Sequence, residues 1–239
     1  MIQSGLVLPV AVPGHERFDP VVRFVPVSER LPAGGIELSP AEIDALDARW
    51  SSCWTPNEVA HRLTGIATPW CVAAGWALDL FLGRQTREHV DTEIAIPAAC
   101  FPEVRNRFPG YVFDAVGSGR IWENATPDFL ASVHQTWLRN PATGNYLVDV
   151  FREPHDGDTW ICRRDDTIRI PYNDIIHYTH DGIPYLAPEL VLLFKAKHVR
   201  RKDQADFDAT VPYMTPTQRD TLAELLARVH PEHRWLADL

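Results

Sequence analysis

The sequence predicts an α/β (α+β) protein in which a mixed β-sheet is flanked by helices and followed by a helical C-terminal part. Helix-start signals stand near residues 39 and 55, and short alternating runs bounded by turn residues fill 91–170. After Pro188 the apolar residues recur at helical spacing. With 239 residues, 45% of them hydrophobic and 23% charged, the chain can bury a sizeable core and is not expected to be disordered.

Two changes in composition predict the organisation of the chain. Residues 1–38 contain five prolines among several valines, which is typical of an extended arm, with a strand expected at 21–27. Near residue 186 the pattern changes from short strands to helices. We therefore predict an N-terminal arm at 1–38, an α/β domain at 39–186 and a helical C-terminal subdomain at 187–239.

The elements follow from local signals. Ser39 and Thr55 each precede a proline and have glutamate three residues later, the pattern of a capped helix start, so helices are expected to about 50 and 63. An apolar strand at 70–74 is broken by Gly75, and a short helix at 76–82 ends at Gly83. The remaining predicted elements are a strand at 91–97, a helix at 98–108, a strand meander at 111–116, 120–122, 132–139, 146–151, 159–163 and 167–170, and helices at 188–203, 203–213 and 216–229.

The segment 74–97 carries the most informative chemistry. Gly75 lets a ligand approach the backbone, and the helix that starts there has N-terminal amides that favour a phosphate. Asp91 and Glu93 stand two residues apart on the next predicted strand, so both carboxylates should lie on one face. Two such acids can share one or two Mg²⁺ ions. Taken alone, an Asp-x-Glu pair is also typical of an exposed strand, and the combination with the glycine and helix is more specific.

This segment, GWALDLFLGRQTREHVDTEIAIP, resembles the signature of the nucleotidyltransferase superfamily that includes DNA polymerase beta. That signature is a Gly-Gly or Gly-Ser turn, a helix and an Asp-x-Asp pair on the next strand. More narrowly, the segment is similar to the aminoglycoside 2''-adenylyltransferase group, whose members carry G-W-A-I/L-D, L-G-R and T-R-x-H-x-D-x-D. The resemblance spans about residues 55–235, is densest at 75–97, and implies a nucleotidyltransferase-type mixed sheet.

The resemblance implies a set of site residues. Asp149 lies in an apolar strand, where an ionised carboxylate is costly unless a cation pairs with it. By resemblance it would complete the metal triad and activate the acceptor hydroxyl, although it could instead face solvent, and Asp114 is a weaker rival. The predicted catalytic and metal-binding residues are Asp91, Glu93 and Asp149, and the predicted nucleotide-binding residues are Gly75, Trp76, Arg84, Arg87 and Lys195. For Arg84, Arg87 and Lys195, a structural salt bridge is the competing interpretation. For His89, the competing interpretation is a scaffold role.

Two departures keep other functions open. Ala74 precedes Gly75 where the family prefers two glycines or Gly-Ser, and Glu93 replaces the second aspartate. Both favour a catalytically inactive homologue that only binds a nucleotide or a partner. A third hypothesis is a toxin-type nucleotidyltransferase acting on tRNA, since residues 195–202 hold five Lys or Arg in eight positions.

Charge and cysteine usage set the expected partners. The formal net charge of −9 argues against general nucleic-acid binding and suits a cationic ligand such as an aminoglycoside. The cofactors implied are Mg²⁺ and, as co-substrate, ATP or another NTP. Residues Trp122, Trp137 and Trp160 are candidates to line the acceptor cleft. Four cysteines without C-x-x-C spacing, no basic segment at the start and no long apolar run predict a cytoplasmic protein.

Overall fold

The computed structural model describes residues 35–37, 39–124 and 126–239. The predicted strand at 21–27, with nearly all of the predicted N-terminal arm, lies outside the described residues. Of the arm, only a short strand, β1 (Ile36–Glu37), is described, and it pairs antiparallel with β5 (Arg120–Trp122).

A nine-stranded mixed sheet forms the centre of the molecule, and this confirms the predicted fold class. Its other strands are β2 (Cys71–Val72), β3 (Glu93–Pro97), β4 (Val112–Gly117), β6 (Gln135–Arg139), β7 (Tyr146–Glu153), β11 (Ile176–Tyr178) and β12 (Pro184–Leu186). The strand order is β1-β5-β4-β6-β7-β3-β2-β12-β11. The β3–β7 and β12–β2 pairs are parallel, whereas the other pairs are antiparallel.

The predicted meander is confirmed for β5, β4, β6 and β7, which pair antiparallel in that order. The last part of the predicted meander belongs instead to a separate three-stranded sheet. That sheet contains β8 (His155–Asp156), β9 (Thr159–Ile161) and β10 (Arg169–Pro171). The sequence did not predict β8, β11 or β12, because strands of two or three residues are too short to show alternation.

Helices cover both faces of the sheet. They are α1 (Pro40–Arg49), α2 (Pro56–Arg62), α3 (Ala74–Leu82), α4 (Phe101–Arg107), α5 (Pro127–Ser132), α6 (Tyr172–Ile175), α7 (Pro188–Lys195), α8 (Arg201–Thr210) and α9 (Pro216–Val229). The predicted capping boxes are present at Ser39 and Thr55, and Thr215 caps α9 in the same way. The helical C-terminal part begins at Pro188 as predicted, while its treatment as a separate subdomain stays a prediction.

Three predicted boundaries were wrong. The predicted strand at 132–139 starts only at Gln135, because α5 extends to Ser132. Helix α3 begins at Ala74, so Gly75 lies within the helix instead of ending the preceding strand. The predicted helix at 188–203 is broken after Lys195, because the Asp203 carboxylate accepts the backbone N–H of Arg200 at 3.0 Å and starts a new helix, α8. Residues 195–202 therefore do not form one helix face.

The alternation along β3 separates two apolar cores. Ile94 and Ile96 pack with residues of α2 and α4 on one face of the sheet. Ala95 faces the other side, where Cys71 and the leucines of α7 and α9 lie. The C-terminal helices therefore cover the face of the sheet on which Glu93 and Asp149 also lie. No helix of the described residues is both long and apolar enough to cross a membrane.

Candidate active site

Three acidic side chains meet where β3 begins. In the parallel β3–β7 pair, Glu93 stands directly opposite Asp149, and the Asp149 N–H donates to the Thr92 carbonyl at 2.9 Å. Side chains opposite one another in adjacent strands lie about 5 Å apart on the same face. Asp91 precedes β3 by two residues, so the structure brings together the three acids that the sequence singled out.

The surroundings of these acids disfavour their charged forms. Asp149 is 2% exposed and its Oδ2 accepts a hydrogen bond from Gln135. Its Oδ1 receives no hydrogen bond of normal geometry from a described residue, and the indole N–H of Trp137, opposite Asp149 on β6, is also unpaired. Burial raises the pKa of Asp149 well above its ordinary range, although Gln135 and Trp137 act to lower it. Burial and the charges of Asp91 and Asp149 raise the pKa of Glu93, and burial raises the pKa of Asp91 against the opposing charge of Lys202.

A buried carboxylate oxygen without a partner is costly unless a cation shares it, and carboxylate oxygens are the ligands that Mg²⁺ prefers. The unpaired Oδ1 of Asp149 and the neighbouring Glu93 carboxylate therefore fit a magnesium ion. Within the described ranges no three His, Cys, Asp or Glu side chains are already gathered tightly enough to hold a metal. Carboxylates repel one another in the absence of a cation, so we expect them to converge when one binds.

Asp114, the rival third acid, has a structural role. It is fully buried and receives two hydrogen bonds from the Arg139 guanidinium, at 2.6 and 3.1 Å. The Asn124 backbone N–H also donates to it at 2.9 Å. Because its oxygens are already occupied by protein donors, Asp114 has little capacity for a metal.

Close packing at the start of α3 explains the glycine of the motif. A Cβ added at Gly75 would lie 2.6 Å from His89 Cε1 and closer still to the Arg87 guanidinium. No side chain at position 75 would leave room for these two residues. The preceding Ala74 has a φ of 51°, in the left-handed region that favours glycine. The family's preferred glycine at this position would relieve that strain, which Ala74 retains.

Replacing Ala74 with glycine is therefore expected to raise the free energy of unfolding by about 1 kcal/mol, because the left-handed backbone costs an alanine about 1–2 kcal/mol. The matched control is Ala77→Gly in the same helix, where glycine should lower it by about 1 kcal/mol. Urea unfolding measures both. Loss of stability in both variants would contradict the strain at Ala74.

The rest of the motif holds the following loop against α3. The Asp79 Oδ1 accepts hydrogen bonds from the Thr86 backbone N–H at 3.0 Å and from the Thr86 hydroxyl at 2.6 Å. Its Oδ2 lies 2.6 Å from His89 Nε2, and the His89 ring stacks on Trp76 with ring centroids 4.4 Å apart. His89 and Trp76 thus make scaffold contacts.

The predicted phosphate contacts Arg87 and Lys195 are tied to one another through Asp206. The Arg87 guanidinium makes two bonds to the Asp206 carboxylate at 2.9 and 3.1 Å, and Lys195 Nζ lies 2.8 Å from the same group. Lys195 also pairs with Asp203 at 3.3 Å, so these two acids of α8 connect it to α7. Arg84 is exposed and lies over the Tyr213 ring, away from this network.

A cavity of about 660 Å³ opens beside the acids, between the sheet and α7. Its lining divides into a polar part, whose side chains are half-buried or exposed, and a largely apolar part that is mainly buried. We call the polar part, together with the start of α3, the mouth; it includes Ala74, Gly75, Arg87, Asp91, Glu93, Lys195 and Lys202. We call the apolar part the depth; it includes Ala95, Phe151, Trp160, Tyr172, Ile175 and Phe194. Trp76, Arg84, Trp122 and Trp137 do not line it, whereas Trp160 does.

The depth of the cavity also contains a charged pair that the sequence did not predict. Glu153 is 4% exposed and accepts two contacts from Arg163 Nε, at 3.0 and 3.2 Å, as well as the Trp160 indole N–H at 3.4 Å. These residues belong to β7, β9 and the loop after it. No motif joins them in the sequence, and only the packing of the small sheet against β7 places them together.

His134 lies near this region and gives a testable acid sensitivity. Burial and the positive charges of Arg163, Arg152 and Arg164 lower its pKa to about 3. The unfolded chain therefore binds the proton first, and the free energy of unfolding should fall as the pH drops below about 6.5, by up to about 1.4 kcal/mol per pH unit. Urea unfolding at pH 7 and pH 5 checks this. His134→Gln should flatten the dependence, whereas the exposed His180→Gln should leave it unchanged.

The comparisons with known proteins concern the same segment. Residues 57–123 match the model of the family described as aminoglycoside-2''-adenylyltransferase. The matched segment contains Gly75, Asp91 and Glu93, while Asp149 lies beyond it. Curated proteins give no match to the chain.

Three solved structures are distantly similar. The lincomycin-bound lincosamide antibiotic adenylyltransferase LnuA has 19% identity and a TM-score of 0.47, covering 65% of this chain and 94% of its own. ANT(2'')-Ia in complex with adenylyl-2''-tobramycin has 12% identity and a TM-score of 0.48, with coverages of 72% and 95%. The solution structure of the antibiotic-resistance factor ANT(2'')-Ia has 14% identity and a TM-score of 0.45, with coverages of 80% and 94%. These likenesses are too distant for any argument to depend on them.

The family match covers the segment in which the fold gathers the glycine turn, α3 and two of the acids. The predicted resemblance to the nucleotidyltransferases, and within them to the aminoglycoside 2''-adenylyltransferases, is thereby confirmed on that segment, where the chain is similar to a family of nucleotidyl-transferring enzymes.

Proposed function

We propose that the protein is a Mg²⁺-dependent nucleotidyltransferase that moves a nucleoside monophosphate, AMP from ATP, onto a hydroxyl of a small antibiotic-like acceptor. The observation that carries this proposal is the group of acids beside the cavity. Asp91 and Glu93 line its mouth, and Asp149, buried directly opposite Glu93, has an oxygen to which no described residue donates a hydrogen bond. This group of acids stands next to the N-terminus of α3, which favours a phosphate.

Each part of the site has an assigned task. Asp91, Glu93 and Asp149 would hold magnesium, which when bound neutralises phosphate charge. Gly75 lets Arg87 and His89 pack closely against the first turn of α3, and the free backbone N–H groups of that turn would bind the distal phosphates. Arg87 and Lys195 are held rigidly by Asp206, so they can present positive charge without reorganising.

The proposed reaction is a direct in-line transfer. A new bond forms between the acceptor oxygen and the α-phosphorus, the bond from that phosphorus to the bridging oxygen breaks, and pyrophosphate leaves. We assign the hydroxyl proton to Asp149, because its carboxylate is the buried one of the three acids and the strand pairing holds it directly opposite Glu93. Most of the acceleration then comes from positioning and from the charges fixed around the phosphates.

The family match favours an aminoglycoside hydroxyl as acceptor. The tRNA alternative depends on the basic run at 195–202, which is divided between α7, a 3-10 helix at Ala196–His198 and α8. Within that run, Lys195 and Arg200 are already paired with Asp203. The run therefore gives no continuous basic face for an RNA partner among the described residues. Pyrophosphate release decides between an active enzyme and the inactive homologue.

Pyrophosphate release from ATP and Mg²⁺ is the direct test. The first acceptors are tobramycin, because the family match favours an aminoglycoside, and lincomycin, as an antibiotic with hydroxyl groups and fewer charges. We expect acceptor-dependent release by the wild type and none by Asp91→Ala. The variant Glu93→Asp distinguishes two kinds of active site. If glutamate has weakened the site, the change raises the rate of pyrophosphate release; if the site is adapted to glutamate, it does not. If the folded wild type releases no pyrophosphate with any acceptor, the protein is a catalytically inactive homologue.

A further inference from the structure

We propose that the apolar depth of the cavity is the acceptor chamber, and that it takes an amphiphilic molecule with an apolar group and at most one positive charge, in place of a polycation. We define the acceptor chamber as Ala95, Phe151, Trp160, Tyr172, Ile175 and Phe194. This inference rests on the proposed function, because the acids at the mouth must carry the transfer. It narrows the acceptor class that the family match suggests.

The direction of the strands connects the chamber to the acids. Ala95 and Phe151 follow Glu93 and Asp149 by two residues and lie on the same face, directly opposite one another. Glu153 follows two residues further along β7. From Asp149 to Glu153 the strand rises about 13 Å, which is the length of a molecule with two rings. A hydroxyl at one end of such a molecule can reach the acids while the other end fills the chamber.

The walls of the chamber suit an apolar group. Trp160, Phe151 and Phe194 present aromatic rings, and Ala95 leaves space on the strand that a larger side chain would occupy. Tyr172 is 7% exposed and lines the cavity with its ring, while its hydroxyl is buried and no described residue hydrogen-bonds it. A small rotation of the ring would bring the hydroxyl to the cavity surface, where a ligand oxygen or nitrogen would satisfy it.

The charges along the cavity argue against a polycation. Seven of its lining residues are Lys or Arg, namely Arg87, Arg163, Arg164, Lys195, Lys197, Arg200 and Lys202, against five acids, Glu88, Asp91, Glu93, Glu153 and Asp203. Beside the acceptor chamber, the acidic lining residue is Glu153, which is already bonded to Arg163. A ligand with several ammonium groups would thus meet two arginines and no unpaired carboxylate there. The lining of the cavity is thus more basic than the chain as a whole, whose formal net charge is −9.

Calorimetric binding without turnover tests the chamber. The probes are lincomycin, which has a single basic amine and an aliphatic chain, 4-nitrophenyl β-glucoside, which is neutral, and tobramycin, which has several amines. We expect the first two to bind more tightly than tobramycin. Tyr172→Phe should weaken binding of at least one by about tenfold, because the ligand loses one buried hydrogen bond. Ala95→Leu should fill the chamber and weaken both by at least about tenfold.

Two matched variants serve as controls. Tyr178→Phe and Ala99→Leu make the same changes at exposed positions outside the cavity and should leave binding unchanged. Tyr172→Phe is expected to fold normally, since the lost hydroxyl makes no hydrogen bond to a described residue. Ala95→Leu is interpreted only if its thermal unfolding resembles that of the wild type.

ATP binding, measured in the same samples, separates this inference from the proposed function. If ATP and Mg²⁺ bind but tobramycin binds more tightly than the other probes, or if Tyr172→Phe and Ala95→Leu change no affinity, the chamber is refuted and the nucleotidyltransferase stands. If neither amphiphilic probe binds at millimolar concentration to protein that binds ATP, the chamber is likewise refuted. If ATP itself does not bind, the proposed function fails instead.

Discussion

Replacing Asp149 with asparagine is expected to lower the rate of transfer by roughly 10³-fold while leaving the metal-free fold at least as stable as the wild type. The carboxylate is buried, its Oδ1 has no partner among the described residues, and burial raises its pKa. Asparagine has nearly the same shape and removes the charge that is costly to bury. It also removes a ligand and the proposed proton acceptor. Pyrophosphate release and urea unfolding in the presence of EDTA measure the two effects.

Asp114→Asn is the matched control, because Asp114 lies on the neighbouring part of the same sheet and is equally buried. Its carboxylate is bonded to Arg139 through two contacts. Removing that charge leaves the guanidinium without its partner and should lower the free energy of unfolding by about 3 kcal/mol, with activity per folded molecule kept. An Asp149→Asn variant that is strongly destabilised yet active would refute the assignment of Asp149 to the site.

Asp206→Asn is expected to produce the largest loss of stability among single substitutions near the site, about 3 kcal/mol. Asp206 is 4% exposed and holds both Arg87 and Lys195, so one change leaves two cations without their main partner. Burial alone would raise the pKa of Asp206, but the hydrogen bond from Arg87 and the charge of Lys195 hold it below its ordinary value. Urea unfolding measures the loss, and weaker ATP binding should accompany it.

The control for this prediction is Asp156→Asn. Asp156 pairs with Arg169 at 3.3 Å, but both side chains are about half exposed. Exposed ion pairs contribute between 0 and about 1 kcal/mol, so this variant should be close to the wild type. Equal losses in the two variants would mean that the Arg87–Asp206–Lys195 network does not stabilise the fold.

Local signals in the sequence were sufficient for the first helices and for the meander. Ser39 and Thr55 specify their helix starts through contacts within four residues, and the β4–β5 hairpin follows from its turn. The break after Lys195 was not predicted, because it depends on the Asp203 side chain capping a new helix in a sequence whose apolar spacing continues. Strands β11 and β12 form because β2 offers an unpaired edge, which is a tertiary effect.

The candidate site likewise contains residues that could be predicted from the sequence and residues that could not. Asp91 and Glu93 stand close in sequence and could be found from their spacing, and Asp149 was found from a charge within an apolar run. Tyr172 and Glu153 could not be found, since they reach the cavity only through the packing of α6 and of the small sheet against β7. Of the cations that the sequence predicted as phosphate contacts, Arg84 does not line the cavity, whereas Lys202, which was not predicted, lies near Asp91.

Calorimetric titration of ATP, with and without Mg²⁺, on the wild type and on Asp91→Ala tests the central claim most directly. The acid cluster predicts binding that requires Mg²⁺ and is lost in Asp91→Ala, with thermal unfolding of the variant close to that of the wild type. A folded wild type that binds no ATP under either condition, or an Asp91→Ala variant that binds it equally well, would contradict a magnesium-dependent nucleotide site at these carboxylates.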